Sequence, residues 1–440
     1  MNDPLAPYDA ILILSYGGPD GPEAVLPFMR NATAGRGVPD SRLVEVSGHY
    51  RRFGGVSPIN ARNAELRRAL RAELVTRGSR LPIVVGNRNW HPFVSEALRS
   101  LADRGARRVL AMTTAAYASY SGCRQYHEDL AGALALLAAG ADGRTGRGPE
   151  ADAAARVGGP GGPPVELLVD KTRPPFNTPG MLQANAEAIA EAFAALMAQG
   201  VQAREIRLVC VTHSIPEAME RLSSPAPGSS GTSPALHGGE PAAPQGRPAP
   251  PGEAYRPDPA ACPGLAVDLS TEVSYVTQHE QLIAALLPVL TEILGLAEPP
   301  ATDLVYCSRS GPPQARWLEP DVNDHLTALA AGELTDGRRV SVPTGVVLAP
   351  IGFISDHMEV VFDLDTEAAG TAASLGLPCH RAATAGTHPA FVASLADLLL
   401  ERAAAARGEA VTPVSTTGTG PFHTVCPPGC CRPAPARPRH

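Results

Sequence analysis

Hydrophobic positions along this chain fall into two alternating kinds of run. Short stretches rich in β-branched residues or Leu read as core strands: Ala10–Leu14, Pro82–Val85, Arg108–Thr113, Val165–Val169, Ile206–Val211, Asp303–Cys307, Val346–Ile351 and Leu377–His380. Between them lie longer Ala/Leu/Glu/Arg stretches that predict helices over Ala61–Val75, Val94–Arg104, Gln125–Leu137, Met181–Ala198, Gln278–Leu296 and Ala390–Ala406. Regular strand–helix alternation predicts an α/β protein. The strands divide into two Rossmann-like lobes, each a four-stranded parallel sheet flanked by helices. The halves begin alike, since Tyr8–Gly18 and Glu205–Pro216 each run from a strand through a turn into a helix. Each turn holds one chemical side chain, Tyr16 or His213. Turns at the C-terminal ends of parallel strands line the ligand crevice of such sheets.

The 440 residues are enough for two domains and include 45 Pro and 43 Gly, which interrupt the pattern in particular places. Gly140–Pro164 and Ser223–Gly264 have almost no large apolar residues and read as disordered insertions. The chain is therefore expected to divide into an N-terminal lobe over residues 1–172, a C-terminal lobe over 173–410 and a Cys-containing tail over 411–440. A net charge of −7, with no basic cluster interleaved with aromatics, excludes nucleic acid as the main partner. No apolar run reaches the ~20 residues of a membrane span. The first apolar run ends in Ser-Tyr-Gly-Gly-Pro and reads as a strand, not a signal peptide. A cytoplasmic location is expected, in which the eight cysteines are thiols or metal ligands before they are disulfides.

One segment concentrates acidic chemistry. After the strand Val346–Ile351 comes Gly352-Phe353-Ile354-Ser355-Asp356-His357-Met358-Glu359, and Glu359, Asp363 and Glu367 then recur at i, i+4 and i+8. On an α-helix these carboxylates stay within roughly 80° of arc. They form either a solvated acidic face or a row of hard oxygen ligands for a divalent cation. A local π-bulge would bring them closer to one line. His213, in Thr-His-Ser-Ile-Pro, suits either metal binding or proton transfer near neutral pH. His49-Tyr50-Arg51-Arg52 followed by Gly-Gly-Val-Ser57-Pro-Ile mixes cations with hydroxyls and fits carboxylate recognition. Segments 86–92 and 117–126 also follow strands and should face the same crevice.

Ser-Tyr-Gly-Gly-Pro, Gly-Gly-Val-Ser-Pro-Ile, Thr-His-Ser-Ile-Pro, Trp317-Leu318-Glu319-Pro320 and Gly-Phe-Ile-Ser-Asp-His-Met-Glu occur in this order. The set resembles the ferrochelatases, which insert Fe(II) into a porphyrin during haem biosynthesis. The likeness runs from about Tyr8 to Ala406 and implies a two-lobed chelatase-like fold. It makes His213 and Glu359 the catalytic and metal-binding pair, and Asp363 and Glu367 the track along which metal arrives. Tyr16 is implied to approach the iron from the other face of the macrocycle, and Ser57 and Tyr126 to hold its carboxylates. Where related enzymes have an Arg eight residues before that serine, this chain has His49. Carboxylate recognition there either weakens or passes to Arg51, Arg52, Arg30 or Arg36. His49 and Tyr50 remain candidate porphyrin contacts.

The tail carries Cys426-Pro-Pro-Gly-Cys430-Cys431, a partial soft-metal site in need of a fourth ligand. Some members of the resembled family hold a 2Fe–2S cluster with three C-terminal cysteines and one from the first lobe, where Cys123 falls. Adjacent cysteine ligands would need a strained or folded backbone. A zinc site and an oxidisable tail are the alternatives. The composition and the tail resemble high-GC Gram-positive coproporphyrin-type enzymes. The resemblance therefore implies coproporphyrin III as substrate, over protoporphyrin IX, a non-catalytic haem carrier or an iron sensor. A monomer in transient contact with neighbouring haem-pathway enzymes is expected.

Overall fold

The computed structural model of the chain describes residues 3–34, 37–140, 164–223, 273–309, 315–424 and 430–432. Apart from their edges, both expected insertions lie outside the described residues, as do Arg36, Cys262 and Cys426. Ser223, expected to open the second insertion, is instead buried, and its hydroxyl accepts from the Tyr275 amide at 3.0 Å.

Eight strands form two all-parallel four-stranded sheets. The first comprises β1 (Ala10–Ser15), β2 (Ile83–Asn87), β3 (Arg108–Thr113) and β4 (Leu168–Lys171) in the order β2-β1-β3-β4. The second comprises β5 (Ile206–His213), β6 (Thr302–Cys307), β7 (Gly345–Ala349) and β8 (Cys379–Arg381) in the order β6-β5-β7-β8. Every position of β1 and β7 is buried, as helices on both faces of a parallel sheet require. One expected strand moves. Val165–Val169 gives way to Leu168–Lys171, because the Val165 amide donates to the Leu137 carbonyl while Leu168 begins the pairing with Arg108.

Helices fill the connections: α1 (Val25–Ala32), α2 (Asp40–Arg52), α3 (Ile59–Thr76), α4 (Val94–Asp103), α5 (Gln125–Ala138), α6 (Pro179–Met197), α7 (Tyr275–Leu294), α8 (Val322–Ala330), α9 (Ala369–Ser374) and α10 (Pro389–Ala406). A core containing Leu66 and Leu70 of α3, Phe193 of α6 and Leu399 of α10 joins the two sheets. In both sheets the strand order reverses beside the first strand, between β1 and β3 and between β5 and β7. Those two switch points are where crevices open in such sheets. Tyr16 follows β1, His213 ends β5, and the Gly352–Glu359 segment follows β7.

Candidate active site

Glu359 stands immediately before a π-helix over Val360–Ala368. Its turn is wider than that of an α-helix, in keeping with the expected π-bulge. Exposure is graded along the row, with Glu359 and Asp363 half-buried and Glu367 exposed. The apolar positions Val360, Phe362, Leu364 and Ala368 pack inward and fix the helix.

Glu359 is joined by a residue that the spacing of carboxylates did not single out. His357 Nδ1 lies 3.0 Å from Glu359 Oε2. Burial works against the charge of His357, but the Glu359 carboxylate outweighs it and raises the imidazole's pKa. Burial likewise pushes Glu359 up, yet His357 and then His213 reverse this and bring it down to about 2. Its side chain is 46% exposed, so the carboxylate opens into the cleft while protein crowds its other sides. His213 behaves oppositely, because burial lowers its pKa and keeps the ring neutral. The site thus pairs a neutral imidazole with an ionised carboxylate, as expected where environments push titratable groups apart.

Asp363 is the second step. Burial, then the neighbouring Glu359 and Glu367 carboxylates, raise its pKa to about 7, against a hydrogen bond from the Ser308 hydroxyl. Ser308 follows β6 in the left-handed backbone region, φ 64°. A conformation so rare for serine could not be read from sequence. As Asp363 ionises only near neutrality, the KM for Fe(II) is expected to rise by about an order of magnitude from about pH 8 to pH 6. Asp363→Asn should flatten that rise, which steady-state kinetics across pH would show.

His213 is held from behind. The neutral ring of His279 sits deep in the protein, its pKa lowered to about 3 by burial. Its Nδ1 donates to the Tyr275 carbonyl at 2.7 Å, so Nε2 accepts from Thr212 Oγ1, also at 2.7 Å. The Tyr275 hydroxyl is 2.9 Å from Thr212 Oγ1 and donates to the His213 carbonyl at 3.1 Å. Tyr117 of the first lobe stacks on His279 with ring centroids 3.6 Å apart, tying the two lobes together at this point.

The first lobe supplies an aromatic wall. Tyr16, Tyr50 and Trp90 pack edge-on around Phe28 at 6.1, 5.9 and 6.5 Å. Tyr50 also feels the charges of Glu359 and Asp363, which places α2 against the acidic row. His49 stacks on Phe362 of the π-helix at 4.0 Å, and Arg52 lies over the same ring at 6.0 Å. Arg30 pairs with Asp40 at 2.7 Å. Ser57 and Tyr126 are 4% exposed. Ser57 sits behind Gly18, where a Cβ would fall 2.5 Å from the serine's own, and Tyr126 lies under the Arg88 guanidinium at 4.7 Å.

The described cysteines come from the strands, from the turn before α5 and from the tail. Cys210 and Cys307 are buried strand residues whose thiols burial pushes up. Cys379 is half-buried, and burial raises its thiol to about 11. Cys430 and Cys431 are both 2% exposed, with sulfurs 3.7 Å apart, and Cys431 has φ 49°. Cys123 is buried in the same core, on a π-turn over Tyr120–Arg124. Among the described residues, no group of three or more His, Cys, Asp or Glu side chains closes tightly enough to hold a metal ion. No helix among them is long and apolar enough to cross a membrane.

The model of the ferrochelatase family matches residues 8–144 and 163–403. Three relatives are described as coproporphyrin III ferrochelatases. That of Streptomyces griseus is 41% identical over 99% of this chain and 96% of its own, and that of Streptomyces coelicolor 40% over 98% and 94%. The Mycolicibacterium smegmatis protein is 37% identical over 96% and 99%. Among solved structures, SirB from Bacillus subtilis with Fe3+ aligns over 92% of this chain and 99% of its own, at 10% identity and a TM-score of 0.41.

Proposed function

The chain belongs to the ferrochelatase family, and we propose that it is a lyase inserting Fe(II) into coproporphyrin III to form coproheme in haem biosynthesis. The observation that carries this reading is the pairing of neutral His213 with ionised Glu359 at one crevice. Metal insertion requires two pyrrole N–H protons to leave while a hydrated dication is stripped and seated. A neutral imidazole can accept a proton, and an ionised carboxylate can hold the metal or relay the second proton. Asp363 and Glu367 are the outer stations for arriving Fe(II), in keeping with their graded exposure.

The wall of Tyr16, Phe28, Tyr50 and Trp90 suits one apolar face of a macrocycle, with Tyr16 approaching the iron from that side. His49 is engaged with Phe362, so carboxylate anchoring passes to the exposed Arg52 above that ring. Ser57 and Tyr126 lie at the same end of the first sheet and complete the carboxylate contacts. The protein acts as a cytoplasmic monomer, in transient contact with neighbouring enzymes of the pathway.

Cys123, Cys426, Cys430 and Cys431 are proposed to hold a 2Fe–2S cluster. The reading is supported by the burial of the three described thiols in one core and by the 3.7 Å approach of the Cys430 and Cys431 sulfurs beside the left-handed backbone of Cys431. Such a cluster supplies one-electron redox capacity when bound.

Comparing anaerobic Fe(II) insertion into coproporphyrin III and protoporphyrin IX tests the substrate. The expected kcat/KM favours coproporphyrin by at least about tenfold, the worth of one charge-assisted contact. Faster turnover of protoporphyrin would overturn the assignment.

A further inference from the structure

From Asp356 to Glu367 the chain places five carboxylates and no arginine or lysine: Asp356, Glu359, Asp363, Asp365 and Glu367. Glu359, Asp363 and Glu367 form the row described above, so Asp356 and Asp365 lie outside it. One side chain downstream accounts for both. Arg381 ends β8, and its register partner is Leu348 of β7, just upstream of the segment that carries Glu359. The edge strand thus sets a guanidinium beside the acidic segment.

The guanidinium divides its donors between the two carboxylates. Nη1 donates to Asp356 Oδ1 at 3.2 Å and Nη2 to Asp356 Oδ2 at 3.5 Å. Nε and Nη2 both donate to Asp365, Nη2 reaching Oδ2 at 3.1 Å. Nη1 also donates to the Ala382 carbonyl at 3.0 Å, and the Thr384 hydroxyl donates to Asp356 Oδ1 at 3.2 Å. Arg381 and Asp356 are half-buried, and Asp365 is exposed. The row itself is treated differently. Glu359 faces His357, and Asp363 accepts from the Ser308 hydroxyl. Among the described residues none of Glu359, Asp363 and Glu367 pairs with an arginine or lysine.

We propose that Arg381 is a positioning residue that sorts these five carboxylates, engaging Asp356 and Asp365 so that Fe(II) is received by Glu359, Asp363 and Glu367 alone. The proposal rests on the iron-inserting function given above. All five side chains are hard oxygen donors of the kind a divalent cation takes. Asp356 stands three residues before Glu359 and Asp365 two residues after Asp363. A dication held by either would sit beside the path and repel a second one on it. Pairing with a guanidinium occupies the carboxylate oxygens and cancels the charge that would attract metal. A lysine, as a compact point charge, lacks the fork that spans both partners.

Arg381→Gln frees both carboxylates. Metal held beside the path stabilises the ground state and not the transition state, so kcat and KM for Fe(II) should fall together. Anaerobic steady-state kinetics are expected to show each lowered at least about fivefold, with kcat/KM and the KM for coproporphyrin III within about twofold of wild type. Adding Asp356→Asn and Asp365→Asn to Arg381→Gln removes the competing charges and should restore kcat and KM to within about twofold of wild type. Should Arg381→Gln fold poorly, as thermal denaturation would show, Arg381→Lys takes its place with the same expectation, because one ammonium leaves one carboxylate unpaired. Wild-type kinetics in the single variant would overturn the proposal. A fall in kcat with KM unchanged or raised would overturn it too, as would a loss that the two added asparagines do not repair, since both mark a purely structural role. Wild-type protein that binds coproporphyrin III without inserting iron would overturn the iron-inserting reading and this proposal together.

Discussion

Glu359→Gln is expected to lower Fe(II) insertion by about three orders of magnitude, the middle of the range for removing one acid–base group. The substitution preserves shape and removes only charge. His357, 3.0 Å away, then loses the carboxylate that raises its pKa, and His213 loses the nearest anion opposing its burial. Both imidazoles become more firmly neutral, and no anion remains at the inner end of the row to receive the dication. The effect on folding should be small. A carboxyl lowered to about 2 contributes stability that is present above its ordinary value near 4.5 and lost as pH falls through about 2. Solvent at the half-exposed carboxylate screens that contribution near neutrality. Glu367→Gln, at the exposed end, should instead raise the KM for Fe(II) and leave kcat unchanged. Anaerobic kinetics with both variants would separate these outcomes. Equal losses would contradict the direction assigned to the row.

Gly352→Ala is the second large effect, and it acts through packing. A Cβ at Gly352 would lie 2.6 Å from Thr212 Cβ and 2.7 Å from Thr212 Cα. Thr212 cannot yield, because His279 and Tyr275 hold its hydroxyl at 2.7 and 2.9 Å, and the Gly352 amide donates to the Val211 carbonyl at 3.1 Å. The segment after β7 must therefore move away from the end of β5. The expected cost is about 3 kcal/mol, at the severe end for overpacking against backbone. Activity should fall further than stability, because the same displacement separates His213 from Glu359. Thermal denaturation and turnover measured together check this, and a variant with wild-type Tm and kcat would refute it.

Much of this was legible in the chain. The core strands announce themselves because helices cover both faces of a parallel sheet and force continuous apolar runs. That is why Ala10–Leu14 and Arg108–Thr113 were readable to within a residue of β1 and β3. A local π-bulge was expected beside the row of Glu359, Asp363 and Glu367, and a π-helix over Val360–Ala368 follows Glu359. Helix α2 was hidden. It buries only Leu43 and Ser47, so no apolar stripe marks it, and no helix was expected over Asp40–Arg52. His357 was in view inside the Ser-Asp-His-Met-Glu motif, but its role depends on a side-chain contact that spacing does not specify. Ser308 could not be placed at all, since it acts through a left-handed backbone.

The central claim is that this crevice transfers iron, beyond binding a porphyrin. Coproporphyrin III mixed anaerobically with the protein and Fe(II), and followed by its fluorescence, tests that most directly. The account predicts catalytic loss of fluorescence with product exceeding enzyme, abolished in Glu359→Gln and in His213→Ala. Porphyrin binding without turnover, or turnover that survives both substitutions, would contradict it.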